Sequence, residues 1–134
     1  HSDLVCEFPV INPKYMGRKN RFIFTARLVE HTYIDALAKV DLVEGTKKII
    51  EFGPNKTAGE FVIIPKKNQN GDEDNCYLIG FVYDSATDKS ACCIYDAKSF
   101  APQPVCQIEL PQRVPYGFHG RWVTEEEIQN QRIV

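Results

Sequence analysis

Residues 76–96 read Cys-Tyr-Leu-Ile-Gly-Phe-Val-Tyr-Asp-Ser-Ala-Thr-Asp-Lys-Ser-Ala-Cys-Cys-Ile-Tyr-Asp, and this stretch decides the fold. It holds two apolar runs, 76–83 and 91–95, that are rich in β-branched and aromatic residues and enclose a polar turn. Short runs of this composition, bounded by aspartate, serine and threonine, are typical of strands rather than helices. The stretch therefore predicts two neighbouring antiparallel strands.

The same pattern extends outward in both directions. Further short strands are predicted, in chain order, at 21–28, 38–42, 48–52, 61–64 and 105–110. Asp41, Asp84 and Asp96 each close an apolar run and begin a polar turn, which forms a weak internal repeat. This alternation of strand and aspartate turn favours a meandering antiparallel sheet, as in the blades of a β-propeller. A β-sandwich has similar turns and stays an alternative, and no domain boundary is visible within 1–134.

Helical signals are few. Residues 31–38 are compatible with about one turn of helix. Residues 124–131 fit a helix better, because Thr124 and Glu127 match a capping box and the early glutamates suit the positive end of a helix dipole. We therefore predict an all-β chain with one short helical turn near its end.

Composition and charge exclude several classes of protein. The 134 residues are 43% hydrophobic and 25% charged, which is typical of one globular domain. The net charge of −2 gives no electrostatic reason to expect a nucleic-acid partner. No apolar run approaches the roughly 20 residues needed to span a bilayer. Because the chain begins at His1 with neither an initiator methionine nor a leader segment, we expect a processed product or a fragment.

The five cysteines have spacings that match no zinc site. Four of them, Cys76, Cys92, Cys93 and Cys106, lie within apolar β-like runs. We expect these four to be small buried hydrophobic residues of a protein in a reducing compartment. Cys92 and Cys93 are adjacent and should point to opposite faces of a strand, so no bond between them is expected.

Residues 113–122 read Arg-Val-Pro-Tyr-Gly-Phe-His-Gly-Arg-Trp and contain the clearest functional candidate, His119. Gly117 and Gly120 lack a Cβ, so the backbone there can adopt a positive φ or approach another group closely. Phe118 and Trp122 are expected to exclude water from the imidazole. A histidine in a dry, narrow site suits a metal ligand, although a lone histidine in a β-rich protein is more often structural.

The run 113–122 resembles the last conserved block of the carotenoid cleavage oxygenase family, which contains the carotenoid, apocarotenoid and lignostilbene dioxygenases. In that family the corresponding histidine is one of four that hold a catalytic ferrous iron, so the resemblance implies that His119 is an iron ligand. The family fold is a seven-bladed β-propeller whose four histidines lie on different blades. The resemblance therefore implies a C-terminal fragment of a longer protein, which supplies roughly the last two blades.

Two further blocks extend the resemblance, and each contains a glutamate. Glu7 lies in 6–12, which is similar to the Glu-Phe-Pro-x-x-Asn block of the family. Glu60 lies in 58–62, which is similar to a Gly-Glu-Pro block, although Phe61 stands where the family commonly has proline. The family uses such glutamates to orient three of its four histidines. The resemblance thus implies that Glu7 and Glu60 are partners of metal ligands rather than ligands themselves.

By the same resemblance, the histidines that these two glutamates orient lie outside this chain. His119 is then expected to be oriented by backbone or water. His1 and His31 match no ligand block, and we expect them at a free terminus and in a surface loop.

The resemblance implies part of a non-haem iron(II) dioxygenase, with one Fe(2+) per full-length chain. Such an enzyme uses O2 to cleave a C=C bond of a carotenoid, apocarotenoid or stilbene-like substrate into two carbonyl products. Tyr116, Phe118 and Trp122 are candidates to line the substrate cavity, with ordinary core packing as the alternative. The isolated chain is expected to be inactive, because one ligand cannot hold iron.

Two other functions stay open. The chain could belong to a non-catalytic propeller that serves as an interaction module and has lost its metal. A retinoid isomerohydrolase of the same family ranks last, because residues 116–118 are closer to the cleaving members. The expected partners are an apolar conjugated substrate, O2 and the remainder of the propeller, with any contact to a membrane surface left to segments outside this chain. The expected location is the cytoplasm or another reducing compartment such as a plastid, and not the secretory route.

Overall fold

The computed structural model describes residues 4–30, 32–67 and 71–131. In chain order the strands are β1 (Cys6–Val10), β2 (Phe22–Val29), β3 (Tyr33–Asp41), β4 (Thr46–Glu51), β5 (Lys56–Ala58), β6 (Val62–Pro65), β7 (Cys76–Asp84), β8 (Lys89–Asp96) and β9 (Cys106–Glu109). A 3-10 turn spans Pro13–Tyr15, and the helix α1 spans Glu125–Gln129. In these ranges no helix is both long and apolar enough to cross a membrane.

The strands form two four-stranded units, each of which is an up-and-down meander. In the first unit β1, β2, β3 and β4 pair antiparallel in chain order. In the second unit β6, β7, β8 and β9 do the same. The short strand β5 joins the units, since it pairs with β7 and its residue Ala58 also pairs with Ile34 of β3. The prediction of an all-β antiparallel meander is confirmed, and four-stranded meanders side by side are the arrangement of propeller blades.

One apolar core runs through both units. Phe24 and Leu37 from the first unit and Leu78 from the second are fully buried. Phe61 lies at the start of the second unit, and its ring stacks on Phe52 with 5.8 Å between ring centroids. Burying a side chain of this size contributes about 1.5–3 kcal/mol, so the two units stabilise each other through a shared interior.

Each aspartate of the predicted repeat caps the turn that follows it. Asp41 Oδ1 accepts the backbone N–H groups two and three residues ahead, at 3.0 and 3.1 Å. Asp96 makes the same pair at 2.9 and 3.1 Å, and Asp84 accepts one such N–H at 2.9 Å. The repeat therefore has a physical cause, because a carboxylate at this position satisfies turn donors that would otherwise lack partners.

Asp41 also binds Arg21, which directly precedes the neighbouring strand β2. The guanidinium donates from Nε and Nη2 to Asp41 Oδ2 at 3.0 and 2.8 Å. These hydrogen bonds, with help from the turn N–H groups, lower the pKa of Asp41 to about 2. The ion pair therefore holds the start of β2 against the end of β3, at the end of the hairpin opposite its turn.

A buried lysine links the two units. Lys39 of β3 donates from Nζ to Asp74 Oδ2 at 2.6 Å and to the Ala97 carbonyl at 2.8 Å, both of which belong to the second unit. Its ammonium also lies 4.4 Å from the centroid of the Phe22 ring. Since Lys39 is only 7% exposed, these partners replace water around the charge.

Glu73, next to Asp74, makes a second link. Its carboxylate accepts the backbone N–H of Arg21 at 2.8 Å and that of Phe22 at 2.7 Å. Its carbonyl accepts the side-chain amide of the buried Asn12 at 2.9 Å. The loop between β6 and β7 therefore fastens the start of β2 to the second unit.

The two predicted helical turns have opposite outcomes in the structure. The helical turn predicted at 31–38 is wrong, because β3 is paired with β2 and β4 on its two sides and this pairing keeps the chain extended. The helical turn at 124–131 is confirmed as Glu125–Gln129, with both hydrogen bonds of the Thr124–Glu127 capping box present. The positions predicted for His1 and His31 lie outside the described residues.

The cysteines are buried less completely than expected. Cys76 and Cys93 are buried, and burial raises the pKa of each thiol to about 11. Cys92 is only partly buried, and Cys106 is exposed because β9 has no strand on its outer side within the described part of the chain. All five cysteines are free thiols.

Candidate metal centre

His119 lies in an irregular stretch between β9 and α1, residues 111–124, which we call the terminal segment. Because this segment belongs to neither strand nor helix, its course depends on single contacts with both units and with β5. The first contact is a hydrogen bond from the Val114 N–H to Ser90 Oγ at 3.0 Å. Ser90 is only 1% exposed, so this bond fixes the segment to the interior of β8.

Aromatic and cationic side chains hold the next part of the terminal segment. The Arg113 guanidinium lies 4.6 Å from the centroid of the Tyr83 ring and 5.7 Å from that of Tyr116. The Tyr116 and Thr57 hydroxyls are 2.9 Å apart, which ties the segment to β5. The Tyr83 hydroxyl donates to Asp88 at 2.9 Å, and this bond raises the pKa of Tyr83.

Glu60 fixes the position of His119 itself. It lies in the connection between β5 and β6, and Oε2 accepts the Gly120 N–H at 2.6 Å. Its other oxygen, Oε1, lies 3.4 Å from Nδ1 of His119. The resemblance implied that backbone or water orients His119 and that Glu60 serves a histidine outside this chain. In the structure Glu60 instead lies beside His119, which is 59 positions away in the chain. The expected need for glycine is wrong at both positions: neither Gly117 nor Gly120 has a positive φ, and a Cβ at Gly120 would meet only Val62 at an ordinary 3.7 Å.

Two phenylalanine rings enclose the imidazole from the sides. The Phe118 centroid lies 4.8 Å from that of His119 with the ring planes at 85°, and the Phe8 centroid lies 5.7 Å away at 88°. The two phenylalanine rings are also perpendicular to each other, at 90°. The imidazole is thus in edge-on contact with both rings, and contacts of this kind are a favoured aromatic geometry.

The expectation of a dry site is wrong for this chain. The His119 side chain is 67% exposed, whereas that of Glu60 is 15% exposed. Phe118 and Trp122 are 77% and 50% exposed, so they do not exclude water from the imidazole. The physical reason is that the terminal segment lies on the outside of the sheet, and no described element covers it. Whether Tyr116, Phe118 and Trp122 line a substrate cavity stays a prediction.

Glu7 lies beside the centre but does not join it. It precedes Phe8 in β1, its backbone pairs with Ala26, and its carbonyl accepts the Thr25 hydroxyl at 2.7 Å. Within the described residues its exposed carboxylate makes no hydrogen bond to His119. Its predicted role toward a histidine outside this chain stays a prediction.

The donor set fits one part of a metal site. Within the described part of the chain, no three His, Cys, Asp or Glu side chains converge as a metal cage would require. His119 nevertheless has the arrangement of a metal-binding imidazole, with a carboxylate at Nδ1 and no described partner at Nε2. Neutral imidazole suits iron, copper and zinc. The chain therefore offers one ligand and its orienting carboxylate, and the remaining ligands would have to come from elsewhere.

Sequence reasoning missed Phe8 as a member of this centre. It contacts His119 although 111 positions separate the two residues in the chain, and no local sequence pattern predicts that contact. The only available signal was its place directly after Glu7 in the block that resembles the family. Arg113 and Ser90 were also missed, since their roles depend on where the terminal segment crosses the sheet.

Comparison of this chain with known proteins shows to which family it is similar. A family model described as retinal pigment epithelial membrane protein matches residues 1–124. Carotenoid 9,10(9',10')-cleavage dioxygenase 1 of Arabidopsis thaliana is 36% identical over 96% of this chain. A 9-cis-epoxycarotenoid dioxygenase of Oryza sativa subsp. japonica, described as chloroplastic, is 40% identical over 93% of the chain. The chain spans only 26% and 20% of the lengths of these two enzymes.

Solved structures agree with the sequence matches. A variant of Synechocystis apocarotenoid oxygenase, a seven-bladed propeller enzyme, superposes on 90% of this chain with a TM-score of 0.82 and 30% identity. The matched part is 26% of that enzyme, so the two meanders correspond to a fragment of the propeller. The chain therefore belongs to the retinal pigment epithelial membrane protein family, the carotenoid cleavage oxygenases that residues 113–122 resemble.

Proposed function

We propose that the chain is part of a non-haem iron(II) dioxygenase that cleaves a C=C bond of a carotenoid, apocarotenoid or stilbene-like substrate. In this proposal His119 supplies one of the imidazole ligands of the iron, and the remainder of the propeller supplies the others. The observation that carries it is the contact of Nδ1 with Glu60, which leaves Nε2 without a described partner. The dioxygenase names of the similar proteins supply the reaction class.

Glu60 has two tasks in this proposal. A carboxylate beside Nδ1 keeps the ring proton there, so that the lone pair of Nε2 stays available to a metal. The same carboxylate holds the Gly120 N–H and so prevents the terminal segment from moving away from the site. Bound iron(II) would supply the activation of O2, and the products would be two carbonyl compounds. Glu7 would act similarly on a histidine outside this chain.

The surroundings of His119 suit an apolar ligand. Phe8 and Phe118 contact the imidazole, and Tyr116 and Trp122 are exposed on the same terminal segment. A long conjugated substrate would gain from burying these rings, because apolar area removed from water contributes roughly 25 cal/mol per Å². We place the protein in a reducing compartment, with a plastid favoured by the chloroplastic descriptions of two similar enzymes.

The test uses the full-length protein that contains this chain. Wild type and His119→Ala are purified, their iron is measured by mass spectrometry, and their carbonyl products from carotenoid and apocarotenoid substrates are measured by chromatography. We expect wild type to retain iron and His119→Ala to lose both iron and product. The control is Tyr33→Ala, which removes an exposed ring at the start of β3.

Two results would contradict the proposal. If His119→Ala keeps the iron content and activity of wild type, His119 is not a ligand. If wild type itself binds no iron and forms no product, the chain belongs to a non-catalytic propeller instead.

A further inference from the structure

Phe8 has a backbone conformation that an aromatic residue rarely adopts. Its φ is +53°, in the left-handed region, where a side chain with a Cβ is disfavoured. The next residue is Pro9, and a following proline pushes the residue before it toward extended backbone. The positive φ and the following proline therefore both disfavour this conformation of Phe8. Such backbone strain persists only where the surroundings impose it.

An irregularity in β1 imposes this conformation. The pairing of β1 with β2 is regular at Glu7 and again at Val10, so Phe8 and Pro9 together stand opposite the single residue Thr25. An extra residue of this kind bends a strand and redirects a side chain, and such bulges are common next to functional sites. The buried Thr25 hydroxyl donates to the Glu7 carbonyl at 2.7 Å and so holds the backbone just before the bulge.

The strained backbone brings the Phe8 ring to the imidazole. Its edge-on contact with His119 crosses from the first unit to the terminal segment of the second. Phe118 contacts the imidazole from the segment itself, so a ring from each unit packs edge-on against His119. Phe8 is partly buried and also packs against the hydrophobic core, whereas His119 and Phe118, which its ring contacts on the other side, are exposed.

We propose that Phe8 is a positioning residue for His119, and that the β1 bulge keeps its ring edge-on to the imidazole so that Nε2 keeps one direction. This inference rests on the proposed function, since it takes His119 to be a metal ligand. It adds a second restraint to the one from Glu60: the carboxylate fixes the proton of the ring, and Phe8 fixes the plane of the ring.

The test uses full-length protein in which cobalt(II) replaces iron, because its visible absorption bands respond to the geometry of the ligands. Phe8→Leu keeps an apolar side chain but removes the aromatic edge. We expect shifted cobalt bands and about 10-fold weaker cobalt binding, the usual effect of losing a group that orients a metal ligand. The matched control is Phe81→Leu, an exposed aromatic position on β7, which should keep the wild-type spectrum.

Two further variants separate positioning from folding. Thr25→Val removes the hydroxyl beside the bulge and should shift the cobalt bands in the same direction, whereas Thr25→Ser keeps the hydroxyl and should restore them. Phe118→Leu changes an exposed ring, costs little stability and should also shift the bands.

The outcomes distinguish this inference from the proposed function. A folded Phe8→Leu protein with lower stability but the cobalt spectrum and affinity of wild type would overturn the positioning role. If Phe8→Leu does not fold, unchanged spectra in Thr25→Val and Phe118→Leu overturn it equally. A wild-type protein that binds no cobalt and no iron would instead show that the proposed function fails.

Discussion

At the scale of single residues, the candidate metal centre depends on the carboxylate of Glu60, both of whose oxygens contact the terminal segment. Glu60 takes the Gly120 N–H at one oxygen and lies near Nδ1 of His119 with the other. It is far less exposed than His119, so it is the fixed member of the pair. The connection between β5 and β6 therefore supplies the carboxylate that the imidazole meets at Nδ1.

Glu60→Gln tests this role. The amide keeps the size of the side chain and can still accept the Gly120 N–H, but it loses the negative charge beside Nδ1. We expect about 10-fold weaker iron retention in the full-length protein with little change in folding stability. Iron titration and thermal unfolding measure the two effects. Glu109→Gln, on the exposed strand β9, is the control and should bind iron like wild type.

Single residues also show how far the sequence alone could go. His119, Glu7 and Glu60 are recognisable because each lies in a local block. The pairing of Glu60 with His119 is not recognisable, because it depends on where the terminal segment crosses the sheet. The left-handed backbone of Phe8 is hidden for a similar reason: its cause is the register of β1 against β2, and Pro9 argues locally for an extended chain.

At the scale of strands and turns, prediction succeeds where the signal is local. The aspartate turns and the β7–β8 hairpin follow from adjacent residues, and so does the capping box of α1. Prediction fails for β5, which has three residues and is a strand only because β3 and β7 flank it. It fails at 31–38 for a related reason, since pairing on both sides of β3 outweighs local preference.

The Asp41 turn makes a prediction about pH. Hydrogen bonds from Arg21 lower the pKa of Asp41 from 3.8 to about 2, so the charged form is favoured in the folded state. Its contribution to stability is present above about pH 4 and is lost as the pH falls toward 2. Asp41→Asn should therefore destabilise the protein near neutral pH, and the difference from wild type should shrink below pH 4.

Denaturant unfolding at several pH values measures this difference. Asn keeps an oxygen for the turn N–H groups, so the variant isolates the charge. Arg21→Gln should remove the same pH-dependent part of the free energy of unfolding. A difference between wild type and Asp41→Asn that stays constant from pH 5 to pH 3 would contradict the assignment.

Close packing at Gly80 gives a second prediction at this scale. A Cβ at Gly80 would lie 2.7 Å from ring atoms of Phe61, which is 2% exposed and held by Phe52 and Tyr95. Gly80→Ala should cost about 1–3 kcal/mol, because the ring has no room to move. Equilibrium denaturation measures the cost. Gly59→Ala is the control, since a Cβ there meets nothing within 4 Å and should change stability little.

At the scale of the whole molecule, polar links from one loop hold the two units together. Three acidic residues of the loop that follows β6 make these links. Asp74 forms an ion pair with the buried Lys39, and Glu73 accepts a backbone N–H at the start of β2. Asp72 forms an ion pair with the exposed Lys98 of the same unit. The buried link joins the units, whereas the exposed one connects two loops of the second unit. The two lysines therefore form a matched pair for experiment.

Lys39→Met should destabilise the protein by about 3–5 kcal/mol, because it leaves Asp74 and the Ala97 carbonyl without their donor. Lys98→Met should change stability little, since both partners of that pair are exposed and water screens them. Calorimetry of the full-length protein measures both effects. Equal effects of the two substitutions would contradict the view that the buried link joins the units.

The junction at β5 has a mechanical consequence. Ladder pairing runs along the central hairpin of each meander, β2–β3 and β7–β8, but between the meanders it narrows to Ala58 with Ile34 on one side of β5. Under a pulling force the sheet should part at this seam before either meander shears, and each half would come away with its own ladders intact. The same rupture would separate the terminal segment, which carries His119, from the Phe8 ring of the first unit, so tension across the seam would break this contact while each hairpin stays folded.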